Sequence, residues 1–200
     1  ITSSPSQLFR PFDGKYLIFF ETTVRYSQYG FFGKHVDLLV KCCEFNLSAF
    51  ETCTTFYLKS KLSSLITRFI KLQKNLLIRD AKLCQFLISH LLPHLRIVPN
   101  NSGDCDDEFG GIVAPLYECI GNILLGCEDS FFLLQQIISL VYQQSTQYSN
   151  QPSFFVNSFI AIGSIAKGFP EFNESSPQLQ SNYSLLVGFG EFSLKVLAQF

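Results

Sequence analysis

Apolar residues between Phe56 and Leu77 recur every three or four positions, which is the spacing of one face of an α-helix. They are Leu58, Leu62, Leu65, Phe69, Leu72 and Leu76, with Ile66 and Ile70 widening the stripe. Lys61, Ser64, Arg68 and Lys71 occupy the opposite face at the same spacing. The pattern predicts an amphipathic helix that buries Leu62, Leu65, Phe69 and Leu72 and exposes Lys61 and Arg68.

Helical periodicity of this kind continues through most of the chain, and signals for β-strands are poor. No Asn-Gly or Asp-Gly turn separates two alternating runs, as a β-hairpin would require. Asp80 is placed to cap one helix, Pro93 to end it, and Gly126 to end the next. The predicted helices are 15–29, 35–45, 56–77, 81–95, 109–125, 129–148, 153–167 and 178–200. The sequence therefore predicts an all-α fold.

The predicted helices fall into consecutive antiparallel pairs whose first members begin about 40 to 50 residues apart, the period of HEAT or armadillo arrays. We expect residues 1–200 to form a single fragment of an α-solenoid with about four HEAT-like helix pairs. Residues 1–14 and 171–177 are predicted loops, Asn46–Thr55 is an uncertain connection, and residues 99–108 are an acidic loop. The alternative is a helical bundle without repeats.

The composition is that of a folded chain, and the cysteines indicate the kind of cellular compartment in which it works. Hydrophobic residues make up 47% of the chain, which is typical of a protein with a packed core. Because the sequence lacks methionine, we expect it to be a piece of a longer protein. No run of about 18 uncharged apolar residues stands out, so membrane insertion is not expected. The seven cysteines have no disulfide spacing and are interpreted as reduced thiols of an intracellular protein.

Positive charge is concentrated around the predicted helix Phe56–Leu77. Seven of the fifteen lysines and arginines lie between Lys59 and Lys82, where Asp80 is the only acidic residue. Because the net charge is −1, anion binding would depend on such a local patch. The candidate nucleic-acid-binding residues are Lys61, Arg68, Lys71 and Lys74. The alternative is a solvated helix face without a ligand.

The acidic loop at 99–108 has two interpretations of its own. It carries Asp104, Asp106, Asp107 and Glu108. A solvated insertion accounts for it, and so does a docking surface for a basic protein.

Motifs for catalysis, metals and cofactors are almost absent. His90 and His94 have the spacing of metal ligands on a helix, but no acidic residue lies between them and Pro93 interrupts the turn. Gly110-Gly111 lacks the lysine of a phosphate-binding loop, and no strand leads into Gly188-x-Gly190. The sequence therefore predicts a protein that is not an enzyme and needs no metal or cofactor.

Four stretches together resemble the exportin-T family of tRNA nuclear exportins, which belong to the importin-β or karyopherin group. They are FFETTVRY at Phe19–Tyr26, LKSKLSSLITRFIK at Leu58–Lys71, LYECIG at Leu116–Gly121 and the weaker IGSIAKGF at Ile162–Phe169. Arg68, Phe69, Ile70 and Lys71 match the end of the family's basic helix. The family usually has an aromatic residue where this chain has Ser64.

This resemblance implies a central segment of a HEAT-repeat superhelix that binds mature tRNA together with RanGTP. Such exportins shuttle between nucleus and cytoplasm, contact nuclear pore proteins and release their cargo after GTP hydrolysis. The competing interpretation is a protein-cargo karyopherin or a HEAT-repeat scaffold that binds only proteins. A basic face on the concave side of the superhelix would favour tRNA, and an outward basic face would favour a protein partner.

Overall fold

The computed structural model describes residues 15–27, 30–97, 109–127, 129–169 and 177–200. These residues form eight α-helices and contain no strand, which confirms the predicted all-α fold. The helices are α1 Lys15–Ser27, α2 Val36–Thr52, α3 Phe56–Leu77, α4 Ala81–Leu91, α5 Ala114–Ile123, α6 Ser130–Gln147, α7 Pro152–Gly168 and α8 Pro177–Leu197. A π-helical turn at Phe109–Val113 leads into α5. Three 3-10 turns lie at Phe31–Gly33, Leu92–His94 and Leu124–Gly126.

Odd-numbered helices pack side by side in chain order, α1 on α3, α3 on α5 and α5 on α7. Even-numbered helices lie alongside this row, where α2 contacts α4 and α6 contacts α8. The turn Leu124–Gly126 contacts both α4 and α6. The helices are therefore stacked in sequence order, as expected for a repeat-like helical protein.

Two helix ends are set by the residues that the sequence singled out. The Asp80 carboxylate accepts a hydrogen bond of 3.0 Å from the Leu83 amide, so it caps α4 as predicted. At the other end of α4 the chain passes into the 3-10 turn Leu92–His94, because Pro93 cannot continue the α-helical hydrogen bonding. These local signals fix the length of α4.

The second helix is longer than the sequence predicted. We expected a helix over 35–45 and a connection over Asn46–Thr55, whereas α2 continues to Thr52. Asn46, Leu47 and Phe50 are all buried, and Phe50 is fully inaccessible to solvent. Burial of these side chains stabilises the last part of α2 as a helix, which local sequence alone left uncertain.

The remaining predicted segments differ only slightly or lie outside the described residues. The helix expected at 109–125 is divided into the π-helical turn, α5 and the 3-10 turn that ends at Gly126. The acidic loop at 99–108, the loop at 1–14 and residues 28–29 of the first predicted helix are not among the described residues. Neither are residues 171–176 of the last predicted loop, whereas its final residue, Pro177, begins α8.

The core face of α3 is rotated relative to the predicted one. Leu62 and Phe69 are buried as expected, and Leu65 is half-buried. Leu72, expected in the core, is 40% exposed, while the side chains of Ser63 and Thr67 are buried. The reason is that α3 is packed from more than one side, by α1 and α2 and also by α5. A single apolar stripe does not describe a helix in that position.

Helix α5 is the most enclosed of the described helices. Eight of its residues are buried: Ala114, Leu116, Tyr117, Cys119, Ile120, Gly121, Asn122 and Ile123. The segment Phe109–Gly126 is long and apolar enough to cross a membrane by length and composition, and 72% of it is buried in the fold. Its position between α3 and α7 accounts for that apolar character, because a helix packed on two sides needs few polar residues.

Candidate nucleic-acid interface

Helix α3 carries the predicted basic residues and is held in a fixed rotation by hydrogen bonds to the segment around α5. The hydroxyl of Ser63 donates to the Ile112 carbonyl at 2.7 Å. The Thr67 hydroxyl lies 3.0 Å from the Pro115 carbonyl oxygen and 3.2 Å from the Cys119 sulfur. Burial raises the pKa of Cys119 to about 12, so this thiol is uncharged. These buried polar contacts hold the opposite side of α3 in solvent.

Lys61 and Arg68 lie on that solvent-facing side and are exposed, as predicted. The Lys61 ammonium lies 5.6 Å from the centre of the Tyr57 ring, one turn earlier on the same helix. Within the described residues Arg68 makes no ion pair with an acidic side chain. Two cations about two turns apart, with an aromatic ring beside one of them, can contact successive phosphates of a nucleic-acid backbone.

Lys71 differs from these two cations because it already has an acidic partner. Its ammonium lies 3.2 Å from the Glu118 carboxylate on α5, with the two side chains 57% and 22% exposed. Between Lys59 and Lys82 the sequence has one acidic residue, Asp80, so an acidic partner of Lys71 was not expected. Glu118 is distant in the chain, and only the packing of α3 on α5 brings it close.

Lys74 lies on another side of the helix and is half-buried. At about 100° per residue, Lys74 points roughly 140° away from Lys61 around the helix axis. The four predicted residues therefore do not form one continuous surface. Lys61, Arg68 and Lys71 share a face, which we call the α3 basic face, and the exposed Leu72 borders it.

The two histidines considered as metal ligands have other contacts. The Nδ1 atom of His90 lies 3.0 Å from the Glu51 carboxylate on α2. The His94 ring packs edge-on against Phe50, with ring centres 5.0 Å apart. Burial, and then the nearby charge of Lys59, lower the pKa of His94 below its ordinary value. No group of three potential metal ligands occurs in the described part of the chain.

An apolar groove lies between α1 and α2, where the sequence predicted no site. Its volume is about 420 Å³. The groove is lined by Thr22, Thr23, Tyr26, Phe31, Phe32, Leu38 and Cys42. Phe31 and Tyr26 are 42% and 60% exposed, so large apolar side chains stand at its edge. A groove of this composition fits an apolar side chain of a protein partner better than a phosphate.

Comparisons of the chain with protein-family models, with curated proteins and with solved structures gave no significant match. The resemblance to tRNA exportins therefore depends on the four sequence stretches alone.

Proposed function

We propose that this chain is a segment of a tRNA nuclear export receptor and that the α3 basic face contacts the tRNA backbone. The observation that carries the proposal is the exposure of Lys61 and Arg68 on one side of a helix whose other sides are packed. Neither cation needs to leave a core position to reach a ligand. The sequence stretches that resemble exportin-T include this same helix.

In this proposal the basic face recognises the shape and charge of the RNA backbone. Double-helical RNA is recognised mainly through its phosphates and 2′-hydroxyl groups, because side chains cannot read its narrow major groove. Lysine and arginine side chains on a rigid helix suit such contacts, since most of the free energy comes from counterion release. RanGTP is the proposed second ligand, bound cooperatively with tRNA in the nucleus. Nuclear pore proteins are the proposed transport partners, and the protein shuttles to the cytoplasm without entering a membrane.

The three cations contribute unequally in this proposal. Lys61 and Arg68 are available at once, whereas Lys71 must exchange its contact with Glu118 for a phosphate. Lys74 lies off the face and contributes through the general positive potential. We therefore expect Arg68 and Lys61 to matter most for binding.

A protein-binding scaffold is the second candidate, and the apolar groove between α1 and α2 favours it. Exposed apolar side chains such as Tyr26 and Phe31 are typical of protein interfaces. Under this alternative the α3 basic face is a solvated surface or binds an acidic protein. The protein would be a karyopherin for a protein cargo, or a helical scaffold outside nuclear transport.

Binding of tRNA at two or three salt concentrations, with and without RanGTP, tests the proposal. Replacing Lys61 and Arg68 together by Ala should weaken tRNA binding and make its salt dependence shallower by roughly one counterion per lost contact. Lys195→Ala removes one exposed lysine on α8 and shows what the loss of a positive charge elsewhere does to binding. Equal affinities and salt slopes for all three proteins would reject the α3 basic face as the RNA site. Failure of the unaltered protein to bind tRNA would reject the export function itself.

A further inference from the structure

The apolar groove between α1 and α2 adjoins a second cavity that has basic side chains in its wall. The second cavity has a volume of about 330 Å³ and is lined by Tyr26, Gly30, Phe31, Lys34 and His35. Tyr26 and Phe31 also line the groove, so the two cavities share a wall. Together they form one site with an apolar part and a basic part, which we call the α1–α2 site.

The 3-10 turn Phe31–Gly33 builds the apolar part of this site. Gly30, directly before the turn, has a φ of 69°, a left-handed conformation that glycine adopts readily. Phe32 is buried and its ring meets the Phe69 ring edge-on, with centres 5.5 Å apart. Phe31 is left exposed at the edge of the groove. Because Phe32 anchors the turn in the core, Phe31 is held at the site before any partner binds.

The same turn places the basic part beside the apolar part. The His35 ring lies against the Phe31 ring, with centres 4.7 Å apart. The Lys34 amide donates to the Phe31 carbonyl and the His35 amide to the Phe32 carbonyl, both at 3.2 Å. The side chains of Lys34 and His35 are exposed. Both can therefore reach a ligand that lies in the groove.

Positive charge at the α1–α2 site has no acidic partner within the described residues. Neither Lys34 nor His35 makes an ion pair with a carboxylate there. Glu21 of α1 and Asp37 of α2 are not among the residues that line the two cavities. The complementary group on a ligand is a carboxylate, because it accepts hydrogen bonds from both lysine and histidine.

We propose that the α1–α2 site binds a short segment of a partner protein in which an acidic residue lies next to a large apolar one. The apolar side chain enters the groove, whose volume of about 420 Å³ is that of a ligand-binding pocket. The carboxylate contacts Lys34 and His35. Since the two cavities share a wall, the acidic residue lies within about two residues of the apolar one.

The two parts of the site have different roles in this proposal. Burial of the apolar side chain supplies most of the affinity, because it removes apolar surface from water. The basic part selects among apolar segments, since a carboxylate is attracted there and a second positive charge is repelled. The site lies on other helices than the α3 basic face, so its test does not depend on whether the chain binds tRNA.

Selection from a random peptide library displayed on phage tests the site without a known partner sequence. The baits are the unaltered chain, Lys34→Glu and the control Lys195→Glu, which makes the same charge change at an exposed position of α8. We expect the unaltered chain and the control to select peptides in which Asp or Glu lies within about two residues of a large apolar residue. Lys34→Glu should lose this acidic preference, because like charges then face each other.

The peptide enriched most strongly is then labelled with fluorescein, and its affinity is measured by fluorescence anisotropy. Lys34→Ala should weaken binding roughly two- to five-fold, the effect of one exposed ion pair. Tyr26→Ala should weaken it roughly tenfold, because it removes an aromatic wall of both cavities. Tyr57→Ala, at an exposed tyrosine of α3, is the matched control and should leave the affinity unchanged. Circular dichroism establishes that each variant is folded.

A change in the peptide separates the charge contact from the rest. Replacing its acidic residue by the corresponding amide should cost the same roughly two- to five-fold and should make binding insensitive to Lys34→Ala. Enriched peptides without an acidic preference, or no enriched group of peptides, would overturn the proposal. So would equal effects of Lys34→Glu and Lys195→Glu, which would assign the preference to net charge. None of these results bears on the tRNA measurements, so the two proposals fail separately.

Discussion

Gly121 of α5 and Gly168 of α7 lie backbone against backbone, closer than any side chain would allow. A β-carbon added at Gly168 would lie 2.5 Å from the Gly121 carbonyl carbon and 2.5 Å from the Asn122 nitrogen. A β-carbon added at Gly121 would collide with the Ile165 carbonyl oxygen. The contact between α5 and α7 is the most extensive helix contact in the described chain, and these two glycines permit it.

Alanine at either glycine should therefore be strongly destabilising. The added carbon meets rigid backbone in both cases. We therefore expect Gly121→Ala and Gly168→Ala each to lower the free energy of unfolding by about 1–3 kcal/mol or more. Gly163→Ala on α7 is the matched control, since apart from the adjacent backbone of its own helix nothing lies within 4 Å of the added carbon. That variant should be more stable by up to about 1 kcal/mol, because alanine favours a helix. Equal stabilities of the three variants in urea unfolding would contradict the close helix contact.

The rotation of α3 can be tested with one pair of substitutions. Phe69 is 1% exposed and meets Phe32 edge-on at 5.5 Å, so Phe69→Ala should cost about 3–5 kcal/mol of unfolding free energy. Leu72→Ala should change stability by less than about 1 kcal/mol, because that side chain is 40% exposed. The sequence pattern alone predicts a large loss at both positions. Denaturant unfolding of both variants decides between the two orientations.

Glu118 should restrain Lys71 from binding an anion. Under the proposed tRNA function, Glu118→Gln frees the Lys71 ammonium and removes a negative charge beside the α3 basic face. We expect tRNA to bind roughly two- to five-fold more tightly, since an exposed ion pair contributes at most about 1 kcal/mol. Glu191→Gln, an exposed position on α8, controls for the change in net charge. The same gain in both variants would mean that only overall charge matters.

Stability should fall in mildly acidic solution because of His94. Its pKa is lowered in the fold, first by burial and then by Lys59, while Glu51 acts in the opposite sense and His90 adds to the lowering. Below its ordinary pKa of 6.5 the unfolded chain takes up a proton that the folded chain binds less well. The free energy of unfolding therefore decreases as pH falls below 6.5, and His94 makes no such contribution above it.

His94→Gln cannot take up that proton and should show a shallower loss of stability between pH 6.5 and 5. Urea unfolding of the two proteins across this range makes the comparison. An identical pH dependence would show that other groups are responsible for the acid sensitivity.

Local signals in the sequence were sufficient for the position of most helices but not for their packing. The bounds of α3 are those predicted, and Asp80 caps α4 as expected, because periodicity and capping act within a few residues. The predicted end of α2 was wrong because burial of Phe50 depends on helices that come later in the chain. The predicted rotation of α3 was wrong for the same reason.

The candidate site shows the same division. Exposure of Lys61 and Arg68 follows from helical spacing and was predicted. The contact between Lys71 and Glu118 was not, because it depends on how α5 is placed against α3. Lys74 was included for its charge, whereas its direction around the helix sets it apart from the other three. The groove between α1 and α2 is formed by two helices and a turn, and no short motif marks it.

Helix α5 lies between α3 and α7, and this enclosure has a consequence for hydrogen exchange. Its backbone amides can reach water only if neighbours on both sides move away, so they should exchange at the rate of global unfolding. Amides of α1, which among the described helices packs mainly on α3, should exchange through smaller openings. A gradient of protection along the chain, highest at α5, would identify this helix as the last part of the fold to open.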